Sequence, residues 1–143
     1  MDDITFMAYA ESVCFEHAWS DDDIRAVTES GYGVYSIGRD ETGEPVGYVL
    51  GRVSFDEAEL YRIAVLPDKR RQHAGKRLVE SFIEKCAANG AEKIFLEVRS
   101  RNVPALKLYE RCGFSMISVR KGYYGDDDAV IYVLDLKRGQ ESR

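Results

Sequence analysis

Residues 59–89, ELYRIAVLPDKRRQHAGKRLVESFIEKCAAN, are the most informative stretch of this chain about its fold. Their first part, residues 60–66, is almost continuously apolar, which is typical of a strand that is covered on both faces of a sheet. Pro67 then ends the strand, because proline has no backbone N–H for the ladder. The stretch therefore opens with a buried strand and continues into a turn.

A helix and a second strand follow this turn. Apolar residues recur on one helical face over residues 78–87, and Asn89 and Gly90 then end the helix because both tolerate left-handed backbone. Residues 94–98 are apolar again and predict another strand. Two strands separated by one helix lie parallel and are joined by a right-handed crossover. We therefore expect a central pair of parallel strands.

The turn between this strand and the helix is basic. Its cations lie where the free N–H groups of a helix start and the positive end of the helix dipole also point. These cations are Lys69, Arg70, Arg71 and Lys76. The turn therefore predicts a phosphate site. The alternative is a surface loop whose basic residues only keep it in water, because neither a Walker spacing nor the dinucleotide glycine pattern is present.

Length and composition are those of an ordinary globular protein. The chain has 143 residues, 45% apolar and 31% charged, which predicts a single domain over residues 1–143 with a frayed tail at 137–143. No apolar run is long enough to span a membrane, and the N-terminus lacks the plan of a signal peptide. We therefore expect a cytoplasmic protein without a membrane partner. Its three cysteines show no paired spacing and predict reduced core residues.

The charge balance bears on the partner. A formal net charge of −5 argues against nucleic acid as the main partner, because such binding relies on neutralising phosphates. The basic turn is a local exception to this balance. A small cationic patch on an acidic protein suits a small anionic ligand better than a long polyanion.

Two helices are predicted before this stretch. Helical spacing of apolar residues covers residues 3–17, with Asp2 or Asp3 as the cap. Ser20 and Asp23 form a predicted capping box at the start of the second helix. The neighbouring aspartates suit the positive end of the helix dipole, so we interpret them as structural rather than as metal ligands.

The remaining segments predict strands and one short helix. Residues 33–38 and 46–54 form a predicted hairpin, and a helix over residues 104–112 follows the central unit. Two last strands are expected at residues 114–123 and 129–136. The order of elements therefore predicts an α/β domain.

The run N-x-x-A-x-x-L-Y-E-x-x-G-F at residues 102–114 resembles the GCN5-related N-acetyltransferase (GNAT) family. The basic turn resembles the phosphate loop of that family, with Arg70 and Gly75 at matching positions. His73 stands where the family usually has Gly, and its ring either offers an extra donor or points to solvent. The resemblance implies transfer of an acetyl group from acetyl-CoA to an amine. We expect no metal and no covalent enzyme intermediate, because no cysteine has an evident activating partner.

Other segments resemble one branch of this family, the ribosomal-protein-alanine N-acetyltransferases. They are HAWS at residues 17–20, LEVR at residues 96–99, and Arg120 with Tyr123 and Tyr124. The resemblance implies direct transfer, in a ternary complex, to the N-terminal α-amine of a protein. A small-subunit ribosomal protein is the expected acceptor partner, and we expect a monomer or weak dimer.

Proton affinity favours the same acceptor. An α-amine titrates near pH ~7.8 and a lysine near ~10.4, so deprotonating lysine at neutral pH costs about 3.5 kcal/mol more. A single carboxylate therefore deprotonates an N-terminal amine more easily than it deprotonates a lysine side chain.

The fold implied by the resemblance is a mixed, twisted, mostly antiparallel sheet with a central splayed parallel strand pair and helices on both faces. Family members open with a strand before the first helix, but only two or three residues precede the predicted helix here. We therefore expect this first edge strand to be missing. The strand from Gly33 would then have an exposed edge, covered by a partner or by the chain's own tail.

Glu97 is the candidate general base. It is a carboxylate inside an otherwise apolar strand, near the end at which open α/β sheets place their ligands. Such a carboxylate is costly unless it is paired or used, and we expect it to be partly buried. In the resembling branch this position accepts the proton of the incoming ammonium group, through a water. The alternative is a glutamate on a solvated face or paired with Arg99.

Tyr109 is the candidate general acid. It lies on the predicted helix four residues after Ala105 and therefore shares a face with it. In the family this tyrosine faces the sulfur of CoA and protonates the departing thiolate. The alternative is a core tyrosine with a satisfied hydroxyl.

The resemblance also implies a set of binding positions. The cofactor-binding positions besides Tyr109 are Ile63, Ala64, Val65, Arg70, Arg71, Gln72, His73, Ala74, Gly75, Lys76 and Asn102. The amide of Val65 would polarise the acetyl carbonyl. Asn102 would hydrogen-bond the cofactor arm, cap the following helix, or do both. Tyr123 and Tyr124 would wall the peptide slot, or pack on neighbouring strands.

Three other functions stay open from the sequence. The acceptor is alternatively a lysine or a small-molecule amine. The chain is alternatively a non-catalytic CoA-binding regulatory module, because of His73 in the loop. A toxin of the same fold that acts on aminoacyl-tRNA is disfavoured by the acidic balance.

Overall fold

The structure is a computed structural model that describes residues 1–137, apart from the side chains of Arg71 and Gln72. The predicted order of helices and strands is confirmed. The elements are α1 Asp3–Cys14, α2 Asp21–Thr28, β1 Gly33–Arg39, β2 Pro45–Ser54, β3 Glu57–Val65, a 3-10 helix Pro67–Gln72, α3 Ala74–Ala88, β4 Lys93–Arg99, α4 Val103–Arg111, β5 Ser115–Arg120 and β6 Ala129–Asp135. The tail expected to fray lies outside the described residues, except for its first residue.

The six strands form one sheet in the order β1-β2-β3-β4-β6-β5. Only β3 and β4 are parallel neighbours, and the other four pairs are antiparallel. This confirms the predicted mixed, mostly antiparallel sheet with a parallel pair at its centre. Within residues 1–137 no strand precedes α1, and β1 lies at an edge of the sheet, as expected.

The parallel strands β3 and β4 separate after a short contact. Their pairing runs only from Glu57 with Lys93 to Glu59 with Phe95, although β3 continues to Val65. The predicted splay of the central pair is therefore confirmed. It leaves an opening between the last residues of β3 and those of β4.

A bulge in β3 lies at the start of this opening. The register of β2 against β3 shifts between Leu50 and Gly51, which leaves Tyr61 as an extra residue on β3. A side chain at Gly51 is excluded, because its Cβ would lie 2.1 Å from the carbonyl oxygen of Glu59. The bulge turns the side chains of Tyr61 and Arg62 to the same face of the sheet.

Helices cover both faces of the sheet, as predicted. On one face α3 and α4 pack against the central strands, and this core includes Leu78, Val79, Phe82, Leu96 and Tyr132. On the other face α1 packs against β2 and β3, and α2 packs against α1 and β1; this core includes Met7, Ala10, Ile24, Tyr48 and Leu50. The alternation of side chains along β2 places Val49 in the first core and its two neighbours in the second.

The predicted helix caps are present. The Asp2 carboxylate caps α1 by accepting from the N–H of Thr5 at 2.8 Å. Ser20 and Asp23 form the expected capping box on α2, with hydrogen bonds of 3.2 and 2.9 Å. No cluster of candidate metal ligands occurs among the described residues.

The last hairpin differs from the prediction. A strand was expected over residues 114–123, but β5 ends at Arg120. Gly122 has a φ of 64°, and its N–H donates to the carboxylate of Asp128 at 2.8 Å, so the backbone leaves the sheet there. Residues 123–124 therefore lie in the loop between β5 and β6 rather than on a strand.

The cysteines are all free within the described part of the chain. Cys86 is buried in the core beneath α3, and burial raises the pKa of its thiol to about 12. Cys14 and Cys112 are partly buried. In residues 1–137 no helix combines the length and the apolar character that crossing a membrane requires.

Candidate active site

The junction between the 3-10 helix and α3 forms the candidate phosphate site. His73 separates the two helices in left-handed backbone, with φ 57° and ψ 23°. It caps α3 without a side-chain hydrogen bond, and its own side chain is exposed. The first N–H groups of α3 have no partner within the helix, so they are available to an anion.

Two of the cations near this junction are engaged by the protein itself. The ammonium of Lys69 lies 3.8 Å from a carboxylate oxygen of Asp40. The Nε of Arg70 donates to the carbonyl of Val65 at 3.0 Å. The expectation that all four cations converge on one point is therefore wrong for Lys69, because an acidic residue of the first hairpin draws its ammonium away.

The other residues at this junction differ in which of their groups are accessible to a ligand. Ala74 is 6% exposed, so mainly its backbone is open to a ligand. Gly75 is partly buried against α4, and Lys76 is exposed in the first turn of α3. The side chains of Arg71 and Gln72 are not among those that the structure describes, so their predicted roles in cofactor binding stay predictions.

The opening beside β3 is lined by backbone groups. The N–H of Leu66 donates to the carbonyl of Val46 at 2.8 Å, and hydrogen-bonded pairs alternate along antiparallel strands. Ile63 and Val65 therefore turn their N–H and carbonyl groups away from β2 and toward the opening. Ala64 turns its own toward β2, which corrects the expectation that the backbone groups of all three residues are free.

Tyr109 is packed in the core beneath α4. It is 5% exposed, and its ring lies 5.8 Å from that of Phe114 and 6.4 Å from that of Tyr132. Burial raises the pKa of Tyr109 well above its ordinary value, so its hydroxyl stays protonated at neutral pH.

The Tyr109 hydroxyl is not enclosed. Among the side chains that the structure describes, every fully buried polar atom has a hydrogen-bond partner. Among the hydrogen bonds of the described residues, none uses the hydroxyl of Tyr109. It follows that the hydroxyl is not fully sealed in the core and that it has no hydrogen-bond partner among the described residues.

Glu97 lies on the surface of β4. The expected partial burial is wrong: the side chain is exposed, as in the alternative of a glutamate on a solvated face. Its Oε2 accepts a hydrogen bond from the hydroxyl of Tyr124 at 3.0 Å. The anticipated alternative partner, Arg99, instead bonds the carboxylate of Asp126 at 3.1 Å.

Glu97 and Tyr109 lie on opposite faces of the sheet. Leu96 and Val98 share the core that contains Tyr109, and side chains alternate along a strand, so Glu97 points to the other face. The opening between β3 and β4 connects these two faces. A ligand that enters it from the α3 side would have the phenol on one face and the carboxylate on the other.

Two further candidates have local partners. The side chain of Asn102 caps α4 by accepting from the N–H of Ala105 at 3.3 Å, so the capping alternative holds in this structure. Tyr123 is 54% exposed in the loop after β5, with the guanidinium of Arg120 5.6 Å from its ring centre. Its ring meets that of Tyr124 edge-on, with centroids 5.2 Å apart.

A buried carboxylate that the sequence reasoning missed lies beside this face. Glu11 of α1 is fully buried and accepts hydrogen bonds from the Tyr48 hydroxyl, from the Trp19 N–H at 2.8 Å and from Arg62 at 2.7 and 3.1 Å. The guanidinium of Arg62 also lies 4.2 Å from the ring centre of Phe15. We name these five residues the Glu11 network.

The Glu11 network explains where α1 ends. The helix was expected to reach residue 17, but it ends at Cys14 and the chain becomes extended at Phe15. The loop after α1 then returns toward the helix, which lets the backbone N–H of Trp19 donate to the carboxylate of Glu11. A signal for this network was present in the sequence, since a glutamate on the apolar face of a helix and an arginine inside an apolar strand both need a partner.

The arrangement suits a ligand with a phosphate group and an extended arm. The uncapped start of α3 offers N–H groups to the phosphate, and the open edge of β3 offers backbone partners to the arm. A carboxylate and a phenol on either side of the opening can accept and donate a proton.

Comparisons with known proteins agree with this geometry. A sequence model described as the Acetyltransferase (GNAT) family matches residues 4–114. The [ribosomal protein bS18]-alanine N-acetyltransferase of Escherichia coli K12 is 37% identical over 100 residues, which are 67% of this chain and 68% of that protein. A putative enzyme of the same name from Bacillus subtilis 168 is 32% identical over 134 residues, 92% of this chain and 88% of that protein.

Solved structures share the fold. The ribosomal-protein-S18-alanine N-acetyltransferase from Escherichia coli superposes with a TM-score of 0.80 at 30% identity, covering 94% of this chain and 88% of that one. A chain of the NatC complex, solved with Gag peptide and CoA, gives a TM-score of 0.81 at 22% identity, covering 94% of this chain and 91% of that one. At that identity the second likeness supports the fold alone.

Proposed function

This chain belongs to the GNAT acetyltransferase family, and from that membership we propose that it acetylates the N-terminal α-amine of a protein, with a ribosomal protein as the favoured acceptor. The enzyme class is an acetyl-CoA-dependent N-acetyltransferase. The ribosomal acceptor rests on relatives whose names specify ribosomal protein bS18. We further propose that the chain works as one domain in the cytoplasm, as a monomer or weak dimer, without nucleic acid or membrane.

The junction at His73 is the proposed holder of the CoA pyrophosphate. Its uncapped α3 start supports this role, with the backbone of Ala74 and Gly75 as donors and with Arg70, Arg71, Gln72 and Lys76 around it. The open edge of β3 at Ile63 and Val65 is the proposed partner of the pantetheine arm. Because the carbonyl of Val65 already accepts from Arg70, its N–H is the group left to polarise the thioester carbonyl.

Glu97 is the proposed general base. Its exposed carboxylate can accept the proton of the incoming ammonium group, directly or through one water, and release it to solvent. The neutral amine then attacks the thioester carbon and forms the C–N bond. As the C–S bond breaks, the nitrogen gives up its second proton to Glu97 or to water, and the departing thiolate takes a proton from Tyr109.

Tyr109 is the proposed general acid. Burial keeps its hydroxyl protonated at neutral pH, and the hydroxyl has no partner among the described residues. It can therefore give its proton to the departing thiolate and recover one from solvent. Asn102 is proposed to contact the cofactor arm while it caps α4, and Tyr123 and Tyr124 to border the acceptor slot.

The observation that carries this proposal is the opening between β3 and β4, with Glu97 and Tyr109 on its two faces. The test is mass spectrometry of peptides incubated with the enzyme and acetyl-CoA, using free N-termini and blocked N-termini with an internal lysine. We expect acetylation of the free N-termini only. Turnover confined to the blocked, lysine-bearing peptides would reverse the proposed acceptor.

Two variants test the residue roles in the same assay. Glu97→Gln and Tyr109→Phe should each lower kcat by about a hundredfold or more, because each removes one proton-transfer group. Thermal denaturation with and without acetyl-CoA serves as the control for folding and binding. Wild-type rates in both variants, or binding of acetyl-CoA without release of CoA thiol by the wild type, would contradict the proposal.

A further inference from the structure

The carboxylate of Glu97 has one hydrogen-bond partner among the described residues, the hydroxyl of Tyr124 at 3.0 Å. The two residues are 27 positions apart in the sequence, so the loop between β5 and β6 brings Tyr124 over the end of β4. A neutral hydroxyl can only donate to an ionised carboxylate. The bond therefore occupies Oε2, and no hydrogen bond among the described residues uses Oε1 of this exposed side chain.

Tyr124 is itself held in place on several sides. The guanidinium carbon of Arg99 lies 4.0 Å from the centre of its ring, within the range of a cation–π contact. Arg99 in turn forms an exposed ion pair with the carboxylate of Asp126 at 3.1 Å. The backbone N–H of Tyr124 donates to the carbonyl of Asp127 at 3.1 Å. The hydroxyl that meets Glu97 is thus carried by a braced ring rather than by a free one.

From this geometry we propose that Tyr124 is a positioning residue for the reaction: it fixes one oxygen of Glu97, so that the other faces the incoming amine. The proposal rests on the proposed role of Glu97 as general base. It gives Tyr124 a role that differs from bordering the acceptor slot, because its effect passes through the carboxylate and not through contact with the peptide.

The state of the tyrosine supports this role. Partial burial, followed by the hydrogen bond to Glu97, raises the pKa of Tyr124 to about 12. Tyr124 therefore remains a hydrogen-bond donor throughout the neutral range. The hydrogen bond from Tyr124 restricts rotation of the Glu97 carboxylate before the amine binds. A site that is oriented in advance loses less entropy on reaching the transition state.

Steady-state kinetics with Tyr124→Phe test the proposal. The variant keeps the ring and its contact with Arg99 but loses the donor, so we expect kcat to fall about tenfold, as for loss of a hydrogen bond to a charged group. The KM for the acceptor peptide should stay within about twofold. Tyr32→Phe is the matched control, since Tyr32 is 61% exposed at the start of β1, away from the site.

A double-mutant cycle separates this role from peptide binding. If Tyr124 acts through Glu97, the double variant Glu97→Gln with Tyr124→Phe should be no slower than Glu97→Gln alone. Additive losses, a change in KM alone, or wild-type activity of Tyr124→Phe would overturn the positioning role. Wild-type activity of Glu97→Gln would instead refute the proposed base, so the two failures are distinguishable. Circular dichroism and acetyl-CoA binding confirm that each variant is folded.

Discussion

At the scale of single residues, Asp127 shows how one carboxylate shapes the loop that carries Tyr124. It is 8% exposed and accepts hydrogen bonds from the hydroxyl of Ser100, from the N–H of Asp128 at 2.7 Å and from the N–H of Arg101 at 3.1 Å. These bonds connect the loop after β4 to the loop before β6. The hydrogen bond from Ser100 is the largest cause that holds the pKa of Asp127 below its ordinary 3.8.

Asp127 should therefore contribute to stability in a pH-dependent way. Its pKa is lower in the folded than in the unfolded state, so its stabilisation is present above 3.8 and is lost as the pH falls through the folded value. We expect Asp127→Asn to lower the free energy of unfolding at pH 7, with a difference from wild type that narrows as the pH falls below about 4. Urea denaturation at pH 7, 5 and 3 measures this.

The control for this prediction is Glu41→Gln, which changes an exposed carboxylate on the first hairpin. It should differ little from wild type at each pH. A gap between Asp127→Asn and wild type that stays constant from pH 7 to pH 3 would argue against the linkage.

At the scale of elements, the passage from the 3-10 helix into α3 depends on one backbone conformation. His73 adopts a φ of 57°, which residues with a Cβ rarely adopt, and the family usually has Gly there. This conformation lets the N–H groups of α3 face outward without a side-chain cap. The strain at His73 is thus tied to the proposed phosphate site.

Substitutions at His73 should reveal this strain. We expect His73→Val to lower the free energy of unfolding by about 1–2 kcal/mol, because a β-branched residue fits left-handed backbone poorly. His73→Gly should remain within about 1 kcal/mol of wild type, since relief of strain opposes the greater freedom of glycine in the unfolded chain. Urea denaturation compares the three proteins, and equal stability of the valine and glycine variants would contradict the reasoning.

At the scale of the whole molecule, the Glu11 network joins α1, the loop after it, β2 and the bulge of β3. Its members come from positions up to 51 residues apart, and Glu11 has no exposed surface. The network thereby fixes the helix α1 and its loop against the same strand that opens beside β4. The geometry of the proposed site thus depends on a contact between distant parts of the chain.

Glu11→Ala should destabilise the whole fold. It leaves Arg62 half-buried without its carboxylate, so we expect a loss of about 3–5 kcal/mol in the free energy of unfolding. Replacing both residues by apolar ones, Glu11→Leu with Arg62→Met, should cost less than Glu11→Ala alone. Thermal and urea denaturation measure both.

The matched control is Glu29→Ala, which breaks an exposed ion pair with Arg25 in α2. Such pairs contribute about 0–1 kcal/mol. A loss for Glu11→Ala that is no larger than the loss for Glu29→Ala would show that the network does not hold the molecule together.

Most elements of this protein and the caps of its first two helices could be predicted from the sequence. The period of apolar residues, Pro67 at the end of β3 and the capping box of Ser20 with Asp23 act between near neighbours, so they can be recognised without a structure. The motif at residues 102–114 likewise indicated the family and, through it, the sheet.

The assembly of the site depends on tertiary contacts. Glu97 was expected to be partly buried, but its side chain is exposed and accepts a hydrogen bond from Tyr124. The ammonium of Lys69 lies near Asp40 instead of pointing to the phosphate loop. Local rules do not specify which distant groups meet, because such contacts depend on the path of the backbone through the bulge, the splay and the loop after β5. The partners of charged side chains therefore followed from the packed fold and not from the order of residues.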